Sequence, residues 1–458
     1  MDQNPDTVLL RSGPVIDATG LLLLISTITV FLLPLFIYFP PVPPSQRDAL
    51  LETHSPIGVK HTKTKKKTTT SSSKTTINQL WIYPVKSCKG IQLTSSKVLP
   101  YGLEFDRLYT FAQLKSPFPL STNPSPDEPQ PKESWEFITQ RQFPLLATVT
   151  VELFAPDPVK ARGKPLYSDA NIKDSFLLLS FPWQESGLRG VVSWVAAKLA
   201  RGRSAVPERQ VVLPVNFPSQ AEIESRGYER EDVRIWRDVV SALNMEKDLP
   251  RELALYLGVS NRLGLFRVDP GRLREVHRCA PGKEEAGYQP VTGFQDAYPL
   301  HLLNLSSVRE FGAKIIKDEN LEQDLDARRF RANIIVDGPE ENNPPYDEET
   351  WKKVSFTSSE AEGKQSKKAD FHVSCRTVRC KMPNVNQDSG FRHPVEPDRS
   401  LRKLRDVDEG ARLKGCLGMQ LTPLFDDDDK KKKKLESWVE VGMGVEVGER
   451  GAHRYINQ

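Results

Sequence analysis

The sequence predicts a β-rich α+β protein, preceded by one membrane-type helix and a linker. Three observations carry this. Short runs that alternate apolar and polar residues recur along the 458 residues. Thirty-six prolines favour many turns over a helical bundle. One uncharged apolar run stands near the start of the chain. Hydrophobic residues make up 38% and charged residues 27%, so most of the chain is globular, with room for two or three domains or one large core with insertions. A formal charge of +4 is too small to point to nucleic acid.

The apolar run is "GLLLLISTITVFLLPLFIYF", Gly20–Phe39, without a charge. A bilayer core of ~30 Å needs ~20 apolar residues in a helix. The run exceeds a signal-peptide core, the preceding residues carry three aspartates and one arginine, and no small-x-small cleavage site follows. Before it stand Asp2, Asp6, Arg11 and Asp17, and after it Arg47, Lys60, Lys63 and further lysines. That asymmetry places the C-terminal bulk in the cytosol. Residues 40–76 read as a linker, stiff at "PPVPP" and basic and disordered through "KHTKTKKKTTTSSSKTT", whose lysines suit anionic headgroups or a solvated tether alike.

Order is expected from Ile77. "INQLWIYPVKSCKGIQL", "SSKVLPYGLEFDRLYTFAQL" and "WEFITQRQFPLLATVTVEL" give strands and turns, with an exposed Pro-rich loop at 117–133, so 77–185 is β-rich. Residues 190–330 are mixed. "VVSWVAAKLARGR" and "MEKDLPRELALYLGV" have helical spacing, the second stopped by Gly258. "LHLLNLSSVREFGAKII" reads as a strand feeding a helix capped by Ser306. "RRFRANIIVDG" ends in a buried strand, with Arg331 and Asn333 on one strand face. Strands return in "KADFHVSCRTVRCKM", "GCLGMQLTPLF" and "SWVEVGMGVEVGE". The run "DDDDKKKKK" is expected on a hairpin loop between the last two, and 339–370 reads as a partner-docking loop or disordered filler, filler being favoured by its polar composition.

Five cysteines, at 88, 279, 375, 380 and 416, form no disulfide framework and suggest a reducing compartment. No CxxC pair and no His-x(3–5)-His partner supports structural zinc. Four segments concentrate unusual side chains. "YPVKSCKG" offers two lysines and a hydroxyl at a tight turn, as a phosphate grip or a solvated hairpin. "FDRLY" and "FITQRQFP" hold Asp106, Arg107 and Arg141, for which structural ion pairs are the favoured reading on these residues alone. Arg331 and Asn333 supply a planar fork and an amide, suited to a heteroaromatic or phosphorylated ligand or to a capped strand end. In "CRTVRCKMPNV", Arg376 and Arg379 favour a thiolate, the form that attacks and that binds soft metals; an inert buried cysteine is the plain alternative.

Taken together these segments resemble the MOSC superfamily, in its form with an N-terminal β-barrel domain. Within it they are similar to the membrane-anchored, amidoxime-reducing branch of mitochondria. The matching pieces run in the family's order, "YPVKSCKG", "GLEFDR", "FITQRQFPLLA", "RFRANIIVDG", "VRCKMPNV", "GCLGMQLTP" and "VEVGMGVEVGE", over roughly 77–450. The resemblance implies a β-barrel MOSC core, and together with the hydropathy and composition above gives this division: a tail 1–19, a span 20–39, a linker 40–76, a barrel domain 77–185, a connecting region 186–290 and a MOSC domain 291–458.

The resemblance also implies a molybdenum–molybdopterin cofactor whose metal is held by Cys380 and not Cys375. Cofactor-holding positions carry over to Lys86, Ser87, Arg107, Arg331, Asn333, Val378 and Arg379. Val378 stands where close relatives have serine, so only its backbone would contribute. Ala332 stands where many members have proline, and a serine contact of the family falls on Tyr298. The implied chemistry is two-electron oxygen-atom transfer, reducing N-hydroxylated substrates such as amidoximes and hydroxylamines. The chain has no GxGxxG at a strand–helix junction and no CxxxxCxxC cluster, so the implied electron donors are a cytochrome b5 and its NADH-dependent reductase. Pyridoxal phosphate is not expected. The implied location is the mitochondrial outer membrane, facing the cytosol. An alternative within the family is a sulfur-carrying module acting through a Cys380 persulfide; a catalytically dead scaffold is a third.

Overall fold

The computed structural model describes residues 17–38, 45–59, 74–116, 133–162, 174–358, 367–425 and 435–456. Two compact units divide the chain, one of Met1–Ser45 with Gln184–Pro207 and one of Gln46–Trp183 with Glu208–Gln458. In the first, the Asp17 side chain accepts from the Gly20 amide and the Thr19 hydroxyl and so starts the helix Ala18–Tyr38. A second helix, Gly187–Arg201, is ended by Gly202 at φ +94°. Among the described residues no helix is long and apolar enough to cross a membrane. The side chains of Ala18–Tyr38 are described only as far as Leu32, so the span expected over 20–39 rests on the sequence.

The second unit is built of sheets. Five strands close a barrel in the order Glu229–Ile235, Asp238–Asn244, Leu263–Val268, Tyr109–Lys115 and Ser134–Phe137. The closing pair is parallel, Val233 beside Trp135. Leu263–Val268 is buried along its whole length, which its continuous apolar run with Arg267 turned onto backbone carbonyls permits. Strands from both sides of residue 185 therefore share one barrel.

The larger sheet runs Ile334–Asp337, Leu300–Asn304, Cys416–Leu424, Lys368–Val378, Trp351–Thr357, Gly444–Arg450, Thr76–Ile82 and Ile91–Leu93. A further pairing of Ile334–Asp337 with Thr76–Ile82, Ile334 beside Leu80, closes it on itself. The "WIYPVKSC" stretch is thus a neighbour of "RANIIVDG". A four-stranded sheet of His54–Ile57, Thr150–Pro156, Phe176–Pro182 and Glu208–Pro214, a three-stranded one and a two-stranded one of Arg274–Glu275 and Val291–Thr292 complete the unit.

Several sequence expectations need correction. Residues 40–76 are not wholly linker. Gln46–Leu51 is helical, and His54–Ile57 pairs with Thr150–Pro156, tied further by Arg47 to Glu152. The apolar Leu50, Leu51 and Ile57 had been outweighed by the neighbouring low complexity, of which 60–73 lies outside the described residues. The 339–370 segment is not filler. Trp351–Thr357 is a strand between two partners, burying Trp351, Val354 and Phe356; only 359–366 lies outside the described residues. The charge run 426–434 also lies outside them, but its flanking strands pair with other strands and not with each other, so no hairpin joins them. Asn304 and not Ser306 caps the helix Leu305–Ala313, its side chain accepting from the Ser306 amide and hydroxyl. Gly258, at φ +73°, does end the helix Arg251–Leu257.

Gly418 shows how tightly the larger sheet is drawn. Its φ is +81°, and a Cβ there would lie 2.6 Å from the Leu302 carbonyl oxygen and 2.5 Å from His301 Nε2. Gly418→Ala should cost about 2 kcal/mol or more of stability. Thermal unfolding measures this, and an unchanged midpoint would show that the strand can shift to admit the methyl.

Candidate functional site

The segments just beyond several strand ends converge on one cavity of about 1450 Å³. Thr76–Ile82 leads into the turn carrying Lys86 and Ser87. The short 3-10 helix Ala327–Phe330 leads through Arg331 to Asn333. Lys368–Val378 ends just before Arg379 and Cys380. All seven cofactor-type positions expected from the sequence, with Cys380, line this cavity.

The local backbone explains why these side chains meet. Ser87, Arg107 and Arg331 all have positive φ, at +67°, +49° and +53°. Such conformations disfavour residues with a side chain and persist where surrounding bonds hold them. Lys86 N–H donates to Tyr109 O, and Arg107 N–H to Tyr83 O. Arg331 closes the 3-10 turn by donating its N–H to Arg328 O. It is therefore not in a strand, as expected, but at a left-handed corner one turn before Ile334.

Around Tyr83 the cations form a clamp. The Arg107 and Arg331 guanidinium carbons lie 4.7 and 4.1 Å from the Tyr83 ring centroid, a stacking that the π-face favours. Arg107 pairs with the buried Asp106 carboxylate and donates from Nη1 to Asn333 Oδ1 (3.1 Å) and from Nη2 to Arg331 O (3.3 Å). Asp106 Oδ1 also accepts from the Tyr83 amide (2.8 Å). The Asp106–Arg107 ion pair weighed from the sequence is thus real, whereas Arg141 stacks on Trp236 instead, 4.2 Å from its ring.

Asn333 is engaged at both ends. Its Oδ1 also accepts from His301 N (3.2 Å), and its Nδ2 donates to Trp81 O (3.1 Å). Its oxygen and one of its two amide N–H groups thus join strands, while the residue still lines the cavity. Lys86 is buried and donates to Phe294 O (2.7 Å) and Asp296 Oδ1 (2.6 Å). Burial lowers its ammonium pKa against the opposing pull of Asp296. Burial likewise lowers Arg331 to about 10. His301 is held well below its ordinary value, first by burial and then by Arg379 and Arg107, so its ring is neutral at pH 7.

Other donors remain unspent. Among the described residues, seven buried side-chain polar atoms have no hydrogen-bond partner, and four belong to residues of this cavity: Ser87 Oγ, Arg331 Nη2, Thr377 Oγ1 and Arg379 Nε. Unpaired buried donors are costly, so their concentration here points to a ligand that satisfies them. The described lining holds ten arginines and three lysines against one carboxylate residue, Asp296, so that ligand is anionic. Cys380 is half-buried on the same lining, past the last paired strand residue, Val378. Arg379 N–H donates to Gly415 O, and its Nη2 to Phe330 O, which fixes the backbone on the thiol's N-terminal side.

Cys375 lies elsewhere. It is buried within the strand, packed with Tyr298, Val276 and the half-buried Cys279. The two neighbouring thiols drive their pKa values apart: Cys375 lowers that of Cys279, and Cys279 with burial raises that of Cys375. Sequence reasoning missed this pair because the two are far apart in the chain. It also missed Tyr83 as the platform and Asp296 as the Lys86 partner. Tyr83 stood inside a quoted motif, but nothing local marks "GFQDAYP" as a lysine partner.

The family model described as MOSC domain matches residues 289–449, and that described as MOSC N-terminal beta barrel domain matches 74–178. Among curated proteins, "Mitochondrial amidoxime reducing component 2" of Rattus norvegicus is 23% identical over 351 residues, spanning 76% of this chain and 77% of its own length. "Mitochondrial amidoxime-reducing component 1" of Mus musculus is 24% identical, spanning 73% and 72%. "Mitochondrial amidoxime reducing component 2" of Homo sapiens is 22% identical, spanning 76% and 77%.

Two measurements probe this arrangement. Asp106→Ala removes the buried partner of Arg107 and should destabilise the chain by about 3–5 kcal/mol in denaturant unfolding; a loss under about 1 kcal/mol would mean that the guanidinium finds another acceptor. A lowered pKa keeps a thiol ionised to lower pH. Cys279 should accordingly alkylate with iodoacetamide at pH values where an ordinary thiol is unreactive, while Cys375 stays protected. Peptide mass spectrometry reads both, and equal labelling of the two would contradict the pairing.

Proposed function

The chain belongs to the MOSC-domain proteins with an N-terminal MOSC β-barrel domain, and from that premise we propose that it is a molybdenum-cofactor oxidoreductase reducing N-hydroxylated compounds such as amidoximes and hydroxylamines. The observation that carries the reading is the set of unpartnered buried donors facing the same cavity as a half-buried cysteine. A molybdopterin group presents a phosphate, a polar heterocycle and a thiophilic metal. Ser87 Oγ, Arg331 Nη2 and Arg379 Nε are donors of the kind the first two need. A thiolate at Cys380 suits the third. The residues present therefore fit the group.

Roles follow from what each side chain still has free. Cys380 holds the metal. Ser87, Arg331 and Arg379 donate to the anionic and polar parts. Val378 contributes through its backbone. Lys86, bonded to Phe294 O and Asp296, adds charge and one remaining ammonium N–H. Arg107 and Asn333 act as positioning residues, because their bonds run to Asp106, Arg331, His301 and Trp81. The bound group supplies two-electron oxygen-atom transfer. His301, neutral and bonded through its amide to Asn333, adds no charge to a wall already rich in cations.

The remaining parts of the proposal draw on the sequence and on the relatives' names. Electrons come from a cytochrome b5 and its NADH-dependent reductase. The run Gly20–Phe39 anchors the chain, in the mitochondrial outer membrane with the sheets on the cytosolic side.

The test is bound metal. The full chain is expressed in cells that make the cofactor, and molybdenum is counted per protein by mass spectrometry. Cys380→Ser should lose bound molybdenum by about tenfold or more, and Cys375→Ser should keep it. Wild-type protein that binds none, yet carries a persulfide on Cys380, would replace this reading with the sulfur-carrier one. Equal metal and equal amidoxime reduction in wild type and Cys380→Ser would move the ligand to another residue.

A further inference from the structure

The helix Gly187–Arg201 is inside out for a soluble protein. Its small residues Gly190 and Ala197 are buried. Its large apolar residues are not. Leu188 is 86% exposed and Leu199 83%, and Val191, Val192, Trp194 and Val195 are exposed too. Leu188, Val192, Val195 and Leu199 stand at i, i+4, i+7 and i+11, so they share one face. An unpartnered stripe of this kind on a folded domain marks a surface made to be covered.

The charges say by what. The helix carries Arg189, Lys198 and Arg201, Arg203 follows it, and no acidic residue lies between Ser186 and Val206. Lys198 Nζ lies 5.5 Å from the Trp194 ring centroid, a cation resting against an aromatic whose indole suits a bilayer interface. An acid-free helix with an apolar stripe, a tryptophan and flanking cations has the composition of an interfacial helix. In sequence it interrupts the connection between the paired strands Phe176–Pro182 and Glu208–Pro214. It also forms one compact unit with the apolar N-terminal segment.

We propose that Gly187–Arg201 is an interfacial helix that lays its Leu188–Val192–Val195–Leu199 face into an anionic lipid surface. It is a second membrane contact, separate from any role of Gly20–Phe39 and independent of the cofactor reading. A membrane-crossing helix is not required for it.

Tryptophan fluorescence tests this directly, because Ala18–Tyr38 contains no tryptophan and cannot contribute. The full chain is mixed with phosphatidylcholine vesicles whose acyl chains carry bromine, with and without phosphatidylserine. Wild type should show a quenched component that is missing in Trp194→Phe, and it should be larger with phosphatidylserine. Leu188→Glu with Leu199→Glu should abolish that component while the far-ultraviolet circular dichroism stays native. Arg189→Gln should weaken it about fivefold on the anionic vesicles, one surface charge's worth. Equal quenching of wild type and Trp194→Phe overturns the proposal. Equal quenching on both lipid compositions removes the anionic requirement and overturns it as stated. A Trp194 shift that follows protein concentration without vesicles, and ignores vesicles when they are added, replaces the lipid with a second copy of this chain.

Discussion

The Tyr83 clamp is the constraint around which the site is arranged. Two guanidinium groups share one buried ring, and the one carboxylate that meets them there is Asp106. Like charges so close repel, and burial makes the repulsion stronger. The arrangement holds because each group is tied to backbone as well: Arg107 to the Arg331 carbonyl, Arg331 to the Cys88 carbonyl, Asp106 to the Tyr83 amide. The backbone bonds of Arg107 to Tyr83 O and of Arg331 to Arg328 O hold the same two residues at positive φ.

The clamp depends in turn on closure of the larger sheet. Trp81 and Asn333 exchange backbone and side-chain bonds across the pairing of Thr76–Ile82 with Ile334–Asp337. Residues about 250 apart in the chain thereby become neighbours. Without that pairing, Lys86 and Ser87 would belong to one surface hairpin, and Arg331 and Asn333 to an unrelated turn. Closure turns two weak motifs into one wall with spare donors. It commits the Asn333 oxygen to Arg107 and His301 and one amide N–H to Trp81, so that residue joins strands as well as lining the cavity.

The two cysteines of "CRTVRCKMPNV" separate for the same reason. Cys375 lies within a paired strand and faces the small cluster with Cys279 and Tyr298. Cys380 lies past the strand end, where the backbone has left the ladder and the thiol reaches the cavity. Five residues of sequence separation hide a change from sheet interior to cavity lining.

The sequence alone determined the β-rich class, the helix stop at Gly258, and the residues that meet at the cavity. Each of these is written locally, in alternation, in glycine placement or in short motifs kept in a known order. It misread Trp351–Thr357 and His54–Ile57, because polar and low-complexity neighbours diluted short apolar patterns. Tertiary structure alone decided which donors stay free, which thiols pair, and which face of Gly187–Arg201 is left uncovered. Those properties depend on what stands across from a side chain, and in a closed sheet that partner comes from a distant stretch of chain that no local pattern specifies.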